Sequence, residues 1–321
     1  MEPREGETSG WLEELPMTRG EKRELTAGLL FISPWLVGFL ALSVYPILAS
    51  CWFSLCDYSV LADPVYIGTE NYSELWHDEV FWQALRNTLV FAAVSIPLST
   101  ALAIGLAVLL NQPVPGRGVF RTIFFLPSLV PAIALAILWQ WMLNGPVGLV
   151  NNLLRQPLDL INRLAGTSLQ PPDWLNDPSW AMWGLVITGL WGAGNAMVIY
   201  LAGLQEIPAE LYEAAEMDGA NSWQRFMHVT LPLLTPVIFF NVIMGLIGSL
   251  QTFAVPYILT NGGDGPGRSL LFLATYIYQS AFDYWNMGYA SALALVLFVL
   301  ILVLTWIVVR FGEKRVHYAG R

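Results

Sequence analysis

A short polar segment between two long apolar segments holds the residues of this chain best suited to recognising another protein. Its acidic residues recur at every third position and form a stripe on a predicted helix, because residues three apart share a helix face: Glu210, Glu213 and Glu216. Ala214 and Ala215 add a small apolar face that another surface could approach closely. A loop lying on the bilayer is the alternative, but an acidic stripe fits an anionic inner leaflet poorly. The chemistry favoured is protein docking rather than catalysis.

This predicted docking helix is expected to end at Asp218 and Gly219, because glycine adopts the left-handed backbone that helix ends commonly need. Asn221 or Ser222 can then cap a second short helix. One face of that second helix carries side chains at helical spacing: Trp223, Phe226, Met227 and Thr230. Two prolines are predicted to break the approach to the next apolar segment, since proline interrupts helices: Pro232 and Pro236.

Several common chemistries are excluded by the sequence. The only lysines are Lys22 and Lys314, and neither follows a glycine, so the phosphate-binding pattern GxxxxGK[ST] is absent. If the protein uses ATP, another polypeptide must bind it. The three histidines lie in separate loops or tails and no CxxC is present, so we predict no metal site. We expect neither a catalytic site nor a cofactor in this chain.

The composition of the chain indicates what kind of elements lie on either side of the polar segment. Hydrophobic residues make up 55% of the 321 residues and charged residues only 12%, against about 25% in soluble domains. Charge-free windows longer than the roughly 20 residues needed to cross a bilayer predict six membrane-spanning helices. Their predicted bounds are 27–50, 87–110, 121–143, 180–203, 234–255 and 288–309. The sequence therefore predicts an all-α, polytopic membrane protein.

The distribution of positive charge predicts the orientation. With six spans, both termini lie on one side; 11 of the 15 Lys and Arg residues fall on that side and 4 on the other. The positive-inside rule therefore places both termini in the cytoplasm. On this topology, 1–24 is a cytoplasmic N-terminal tail and 25–310 is the transmembrane domain. The polar loop 204–232 faces the cytoplasm, as does the C-terminal tail 311–321.

Uncharged polar side chains lie inside the predicted spans: Gln140, Asn195, Asn241 and Gln251. Each amide offers both donors and acceptors, as a hydroxyl-rich solute requires, while hydrogen bonding between helices is the alternative use. No Asp, Glu, Lys or Arg lies near the middle of any span, which argues against a carrier coupled to protons or ions. The 14 tryptophans fit the aromatic belts of a membrane interface, and stacking on sugar rings is the alternative for some of them.

The spacing within the polar loop resembles the EAA loop of ABC importer permeases. The matching residues are, in order, Glu213, Ala214, Ala215, Gly219, Val229, Leu231 and Pro232. The family usually has Ile at the position of Val229. Further stretches resemble the carbohydrate-uptake branch of that family: 67–72, 81–88, 125–127, 200–208 and 259–263. The resemblance covers about 25–310, with a core of 85–310.

The resemblance implies a type I ABC importer permease-like fold whose loop docks on a cytoplasmic ATPase. The residues implied in this coupling are Glu213, Ala214, Ala215, Asp218, Gly219, Leu231 and Pro232. The implied partners are a second homologous permease, two copies of the ATPase with ATP and Mg²⁺, an extracytoplasmic solute-binding protein and the lipid bilayer. A prokaryotic cell (inner) membrane location is implied, and no nucleic acid is expected.

The resemblance thus implies the permease subunit of an ATP-driven sugar importer. A neutral sugar fits better than a phosphate ester, because the spans contain no Arg or Lys near their middle. Two other classes stay open from the residues alone. A self-contained secondary carrier or channel for a small polar solute would transport without partners, and a membrane scaffold would tolerate a bulky charge at Gly219.

Overall fold

The computed structural model describes residues 19–312, so most of each predicted tail lies outside the described residues. The chain divides into two compact units, 1–52 and 53–321. Within the described residues of the first unit, α1 (Arg19–Phe39) continues through a π-helical turn into α2 (Tyr45–Phe53), which ends at the boundary with the second unit. Pro46 follows that π-helical turn, whose wider hydrogen bonding accommodates the missing proline N–H.

The second unit is helical apart from one antiparallel ladder of two residues on each strand. Its regular elements are β1 (Cys56–Asp57), β2 (Val65–Tyr66), α3 (Glu70–His77), α4 (Glu79–Asn111), α5 (Arg117–Phe125), α6 (Ala132–Met142), α7 (Leu149–Ala165), α8 (Pro178–Trp191), α9 (Gly194–Gln205), α10 (Ala209–Met217), α11 (Ser222–Arg225), α12 (Leu231–Leu250), α13 (Ala254–Leu259), α14 (Leu273–Tyr278) and α15 (Met287–Gly312).

Within residues 19–312, four continuous helices are long and apolar enough to cross a membrane: Arg23–Phe53, Glu79–Asn111, Ser222–Leu250 and Met287–Gly312. They correspond to the first, second, fifth and sixth predicted spans. The predicted all-α membrane fold is confirmed. The count of six spans holds only if each of two sharply bent helix pairs is taken as one span.

The prediction of a single straight helix over 121–143 is wrong. A 3₁₀ turn (Leu126–Leu129) follows α5, and the axis of this first half meets that of α6 at 99°. Pro127 lies at the start of the turn and Pro131 caps α6. Neither proline has an N–H to donate, so the helical hydrogen-bond ladder cannot continue through this segment.

The helix predicted over 180–203 is also two helices, α8 and α9, which meet at 49°. Gly192 ends α8 and Gly194 begins α9, so the break falls in a glycine-rich stretch of low helix propensity. A Cβ added at Gly194 would lie 2.1 Å from the carbonyl oxygen of Phe124 and 2.9 Å from the Cα of Phe125. Glycine therefore lets the break in the fourth span pack directly on the backbone of α5.

The central helix of the second unit is α4, which contributes to all three of its apolar clusters. Phe81 and Ala84 near its beginning pack with residues of α12, α14 and α15. Phe91 packs with a cluster that includes residues of α6 and α8. Ala103 and Ala107, in its second half, pack with residues of α9 and α12. The broken spans and the fifth span are thus held around one unbroken helix.

Asp78, which precedes α4, joins three elements through hydrogen bonds that the sequence does not suggest. Its Oδ1 accepts the backbone N–H of Val80 at 2.8 Å and caps α4. Its Oδ2 accepts the hydroxyl of Tyr276 at 2.6 Å and that of Tyr289 at 2.7 Å. Burial and then the hydrogen bond to Asp78 raise the pKa of Tyr276. These contacts tie the beginnings of α4 and α15 to α14.

Substituting Gly194 tests the close contact between the broken spans. Gly194→Ala places a methyl group against backbone atoms that cannot yield, and we expect it to destabilise the protein by about 1–3 kcal/mol. Gly248→Ala is the matched control, because a Cβ on that helical glycine meets nothing within 4 Å. Thermal unfolding of the detergent-purified chain should show a lower apparent Tm for Gly194→Ala alone. Equal Tm values for the two variants would contradict the contact.

Candidate functional site

The polar loop folds as the docking helix that the sequence predicts. α10 spans Ala209–Met217 and begins directly after Pro208, whose backbone angle is pre-set for the entry to a helix. The side chains of Glu213 and Ala214 are exposed, and Ala215 is half-buried. Glu213, at the centre of the acidic stripe, and Ala214, on the small apolar face, are therefore available to a partner.

Gly219 forms the corner after α10 with a φ of +79°, in the left-handed region that glycine adopts without strain. The N–H of Ala220 donates to the carbonyl of Ala215 at 2.9 Å, and the N–H of Gly219 donates to that of Glu216 at 3.0 Å. This pair of bonds is a Schellman motif, which satisfies the last carbonyls of the helix. Asp218 and Gly219 are both exposed at the tip of the loop.

The next helix is capped by Asn221, one of the two capping residues that the sequence allows. Its side chain accepts the N–H of Gln224 at 2.9 Å, and the Gln224 side chain accepts the N–H of Asn221 at 2.9 Å. This reciprocal arrangement is a capping box. Both flanks of the Gly219 corner are thereby fixed by local hydrogen bonds.

The predicted break at Pro232 and Pro236 is wrong, because the helix that begins at Ser222 continues to Leu250. A π-helical turn over Phe226–Thr230 precedes Pro232, and its wider spacing accommodates the proline ring and the missing N–H. Pro236 lies inside α12. The loop is therefore joined to the fifth span without an intervening hinge.

Two side-chain contacts hold α10 against this long helix. Glu216 forms an ion pair with Arg225, and the Tyr212 hydroxyl lies 3.0 Å from the Oγ1 of Thr230. Thr230 is 6% exposed and Tyr212 is half-buried, so the second contact is part-buried. Neither contact is predicted from the sequence, although helical spacing places Tyr212 and Glu216 on one face of α10. We refer to α10, the Gly219 corner and the first turns of the long helix as the coupling loop (209–230).

The predicted coupling residues fall into three groups. Ala215, Asp218 and Gly219 line a recess of about 280 Å³ beside the corner. Glu213 and Ala214 lie on the exposed surface of the same helix, whereas Leu231 and Pro232 are half-buried at the start of α12. The last two residues therefore belong to the junction with the span rather than to the exposed tip.

A second candidate site is a cavity of about 370 Å³ between α4 and the two broken spans. We refer to it as the central cavity. Its lining residues are all uncharged: Phe91, Pro127, Ser128, Val130, Ala132, Leu135, Leu185, Thr188, Gly189, Gly192, Asn195, Thr252 and Val255. The hydroxyls of Ser128, Thr188 and Thr252 donate to backbone carbonyls nearby. The exposed amide of Asn195 makes no hydrogen bond within residues 19–312, so it is available to a solute.

The other three predicted pathway residues do not line the central cavity. Gln140 lies in a separate recess of about 690 Å³ and donates to the side chain of Asn261 at 3.0 Å. Asn241 donates to the carbonyl of Val237 in its own helix at 2.9 Å. Gln251 is exposed at the end of α12, immediately before the cavity residue Thr252.

Together, these elements define a multi-pass membrane protein with two broken spans around an uncharged cavity and one firmly attached, exposed loop. Residues 95–317 match the model of a family described as "Binding-protein-dependent transport system inner membrane component". The chain belongs to this family. The resemblance to ABC importer permeases is therefore confirmed.

The curated relatives include several permeases. The chain is 37% identical to the probable ABC transporter permease protein YesP of Bacillus subtilis (strain 168), covering 98% of this chain and 99% of the relative. It is 38% identical to the lactose transport system permease protein LacF of Rhizobium radiobacter, covering 87% and 92%. It is 36% identical to the trehalose/maltose permease protein MalF of Thermococcus litoralis, covering 91% and 96%.

Solved structures show the same fold. A chain from the crystal structure of a bacterial ABC transporter involved in alginate import aligns with a TM-score of 0.76 and 24% identity. The alignment covers 91% of this chain and 96% of that chain. Since the sequence identity is low, this likeness bears on the fold alone.

Removing the capping box tests how the coupling loop is fixed. Asn221→Ala loses the side-chain acceptor, and we expect a local cost of about 0.5–2 kcal/mol. Amide hydrogen exchange measured by mass spectrometry should become faster at Ser222–Arg225. Asn221→Asp retains an oxygen at the same place and should exchange as the parent protein does. Unchanged exchange in Asn221→Ala would show that the cap does not hold this end of the loop.

Proposed function

We propose that this chain is one of the two permease subunits of an ATP-driven, binding-protein-dependent carbohydrate importer. It forms half of the translocation pathway and receives mechanical work through the coupling loop. ATP and Mg²⁺ bind to a separate cytoplasmic ATPase, present in two copies, and this chain carries no cofactor. An extracytoplasmic solute-binding protein delivers the sugar, and the complex lies in a prokaryotic cell (inner) membrane with both termini of this chain in the cytoplasm.

The observation that carries the proposal is the continuity between the loop and the central cavity. The helix Ser222–Leu250 begins at the capped corner and ends two residues before Thr252, which lines the cavity. Its 29 residues span about 43 Å at ~1.5 Å per residue, more than the thickness of the hydrocarbon core. Movement of the docked loop would therefore be carried by this helix to the segment after it, which contributes Thr252 and Val255 to the wall of the cavity.

The mechanism that follows is rigid-body movement. Closure of the ATPase dimer draws the coupling loops of the two permeases together, and each loop carries its long helix with it. Tyr212 and Glu216 keep α10 in register with that helix through their contacts with Thr230 and Arg225. The cavity thereby turns from one side of the membrane to the other, a domain movement of the kind seen in many switching proteins.

A neutral carbohydrate is the solute that the central cavity favours. Its lining combines apolar surface with a few hydroxyl and amide groups and has no charged side chain. Such a lining can hydrogen-bond sugar hydroxyls but cannot neutralise a phosphate ester. The names of the relatives LacF and MalF, which refer to lactose and to trehalose and maltose, support the same class of solute.

Substitutions on the exposed face of α10 test the coupling. Ala214→Glu replaces an exposed residue with another strong helix former, so the chain should fold and insert normally. The larger, charged side chain should prevent close docking and lower sugar uptake about tenfold or more, since 1.4 kcal/mol of lost docking energy is a factor of ten. Gly219→Glu and Ala215→Asp should also abolish uptake while the protein still inserts.

Two measurements distinguish a variant that no longer docks from one that no longer folds and inserts. Uptake is followed with a labelled sugar chosen by testing a sugar panel on the cognate binding protein, and copurification of the ATPase is measured in parallel. Ala214→Ser is the matched control and should retain both properties. Uptake by Ala214→Glu at the parent rate would refute the coupling role, and transport by the purified chain alone under an ion gradient would favour a secondary carrier instead.

Asn195 tests the pathway independently of coupling. Asn195→Leu removes the one cavity amide that no described residue engages, and we expect the KM for uptake to rise about 2–10-fold, as for the loss of one hydrogen bond. Copurification of the ATPase should not change. Asn241→Leu is the control, because the amide of Asn241 bonds to its own helix and should contribute nothing to sugar binding. Equal KM values for both variants would remove Asn195 from the pathway.

A further inference from the structure

The helix α7 presents a row of leucines that nothing within the described chain covers. Leu149, Leu153, Leu160 and Leu164 fall within about 60° of arc when successive residues are placed 100° apart around the helix. Their exposed fractions are 53%, 67%, 58% and 80%. We refer to these four residues as the leucine stripe. Four exposed leucines in one row are more than the isolated apolar residues expected on a water-facing surface.

The other faces of α7 have evident uses. Asn151 is 2% exposed; its amide donates to the carbonyls of Gly145 and Pro172 at 2.9 Å and accepts the indole N–H of Trp174 at 2.7 Å. Val150 and Leu154 pack against the apolar cluster that includes Trp174. These contacts fix the rotation of the helix about its axis. The leucine stripe is consequently held outward and cannot turn into the core of the unit.

The remaining face of α7 is hydrophilic. It carries Asn152, Gln156, Asp159 and Arg163, all exposed and all within a second arc of about 60°. Arg163 lies about 40° from the edge of the leucine stripe, close enough for its long side chain to extend from the apolar side towards a polar layer. Strict separation of leucine from charged and amide residues is the pattern of helices that lie in a membrane interface.

The position of α7 in the chain places it at such an interface. It begins seven residues after α6 ends at Met142, and it precedes α8, the next membrane helix. The exposed apolar side chains of α6 include Ile133, Ile137 and Trp141, and Trp141 is the nearest of them to α7 along the chain. Tryptophan is typical of the boundary between hydrocarbon and water. The leucine stripe therefore begins seven residues after a membrane helix whose exposed side chains are apolar and end in a tryptophan.

We propose that α7 lies in the membrane interface on the face opposite the coupling loop, with the leucine stripe among the upper acyl chains of that leaflet. Arg163 reaches the lipid phosphates from the polar side of the helix. Lipid fits the stripe better than a protein partner does, because protein interfaces are enriched in aromatic residues, methionine and arginine, and the stripe contains only leucine. The helix would thus fix the depth and tilt of the broken third span, to which it is joined by a short link.

Spin labels on single cysteines test this placement in the full chain, purified with whatever subunits accompany it and reconstituted in lipid nanodiscs. Labels are introduced at Leu153 and Leu160 of the stripe and at the adjacent polar positions Asn152 and Asp159, after Cys51→Ser and Cys56→Ala. All four positions are exposed, so the labels should not disturb folding. Leu302, exposed in the middle of α15, is the lipid-facing reference.

Collision of each label with oxygen, which concentrates in lipid, is compared with collision with a water-soluble nickel chelate. The proposal predicts that the oxygen-to-nickel ratio at Leu153 and Leu160 exceeds that at Asn152 and Asp159 several-fold and approaches the ratio at Leu302. Preferential access of nickel at the stripe would place α7 in water and overturn the proposal. Protection of the stripe from both reagents would also overturn it, because a protein surface would then cover the leucines.

Discussion

Within the hydrocarbon core of a bilayer no water is present to satisfy backbone N–H and C=O groups, and this constraint determines where the chain can interrupt its helices. Four spans satisfy these backbone groups by remaining continuous helices. The third and fourth spans break, and their breaks lie against each other, with Gly194 directly on the backbone of Phe124. At this contact the break in the fourth span packs against the backbone of α5. The central cavity lies beside both breaks, with Pro127 and Ser128 of the third span and Gly192 of the fourth among its lining residues.

The same constraint explains how prolines are accommodated in the continuous helices. Pro232 follows a π-helical turn in the second unit, and Pro46 follows another in the first. A π-helical turn shifts the hydrogen-bond register by one residue, so the missing proline N–H is absorbed without ending the helix. Sequence reasoning predicts a break at Pro232, as proline usually causes in a water-soluble helix. In a membrane the cost of unpaired backbone groups is higher, and the helix continues.

The parts of the structure that sequence reasoning predicts correctly are those fixed by neighbours in the chain. The helix Ala209–Met217, the corner at Gly219 and the cap at Asn221 all depend on hydrogen bonds within five residues. The tyrosine contacts of Asp78 depend on residues far apart. Tyr276 and Tyr289 lie 198 and 211 positions from Asp78, and no local pattern records such a contact. The helix α7 is a different case, since its amphipathic period is present in the sequence of a single segment.

The two candidate sites also differ in whether they depend on local or on distant contacts. The coupling loop can be recognised from one segment, because a docking helix is a local structure. The central cavity is assembled from α4, both broken spans and the segment after α12, so only Asn195 among the four predicted amides lines it. Residues that contact the solute can therefore be inferred only after the breaks in the spans are known.

The attachment of the coupling loop depends more on Tyr212 than on the charged pair beside it. The side chains of Arg225 and Glu216 are 26% and 59% exposed, and an ion pair in water contributes at most about 1 kcal/mol because solvent screens it. The hydroxyl pair of Tyr212 and Thr230 is part-buried, and breaking it would leave the buried Thr230 hydroxyl without this partner, at a cost of about 1–3 kcal/mol. A force applied to α10 would therefore reach the fifth span chiefly through this contact and the continuous backbone.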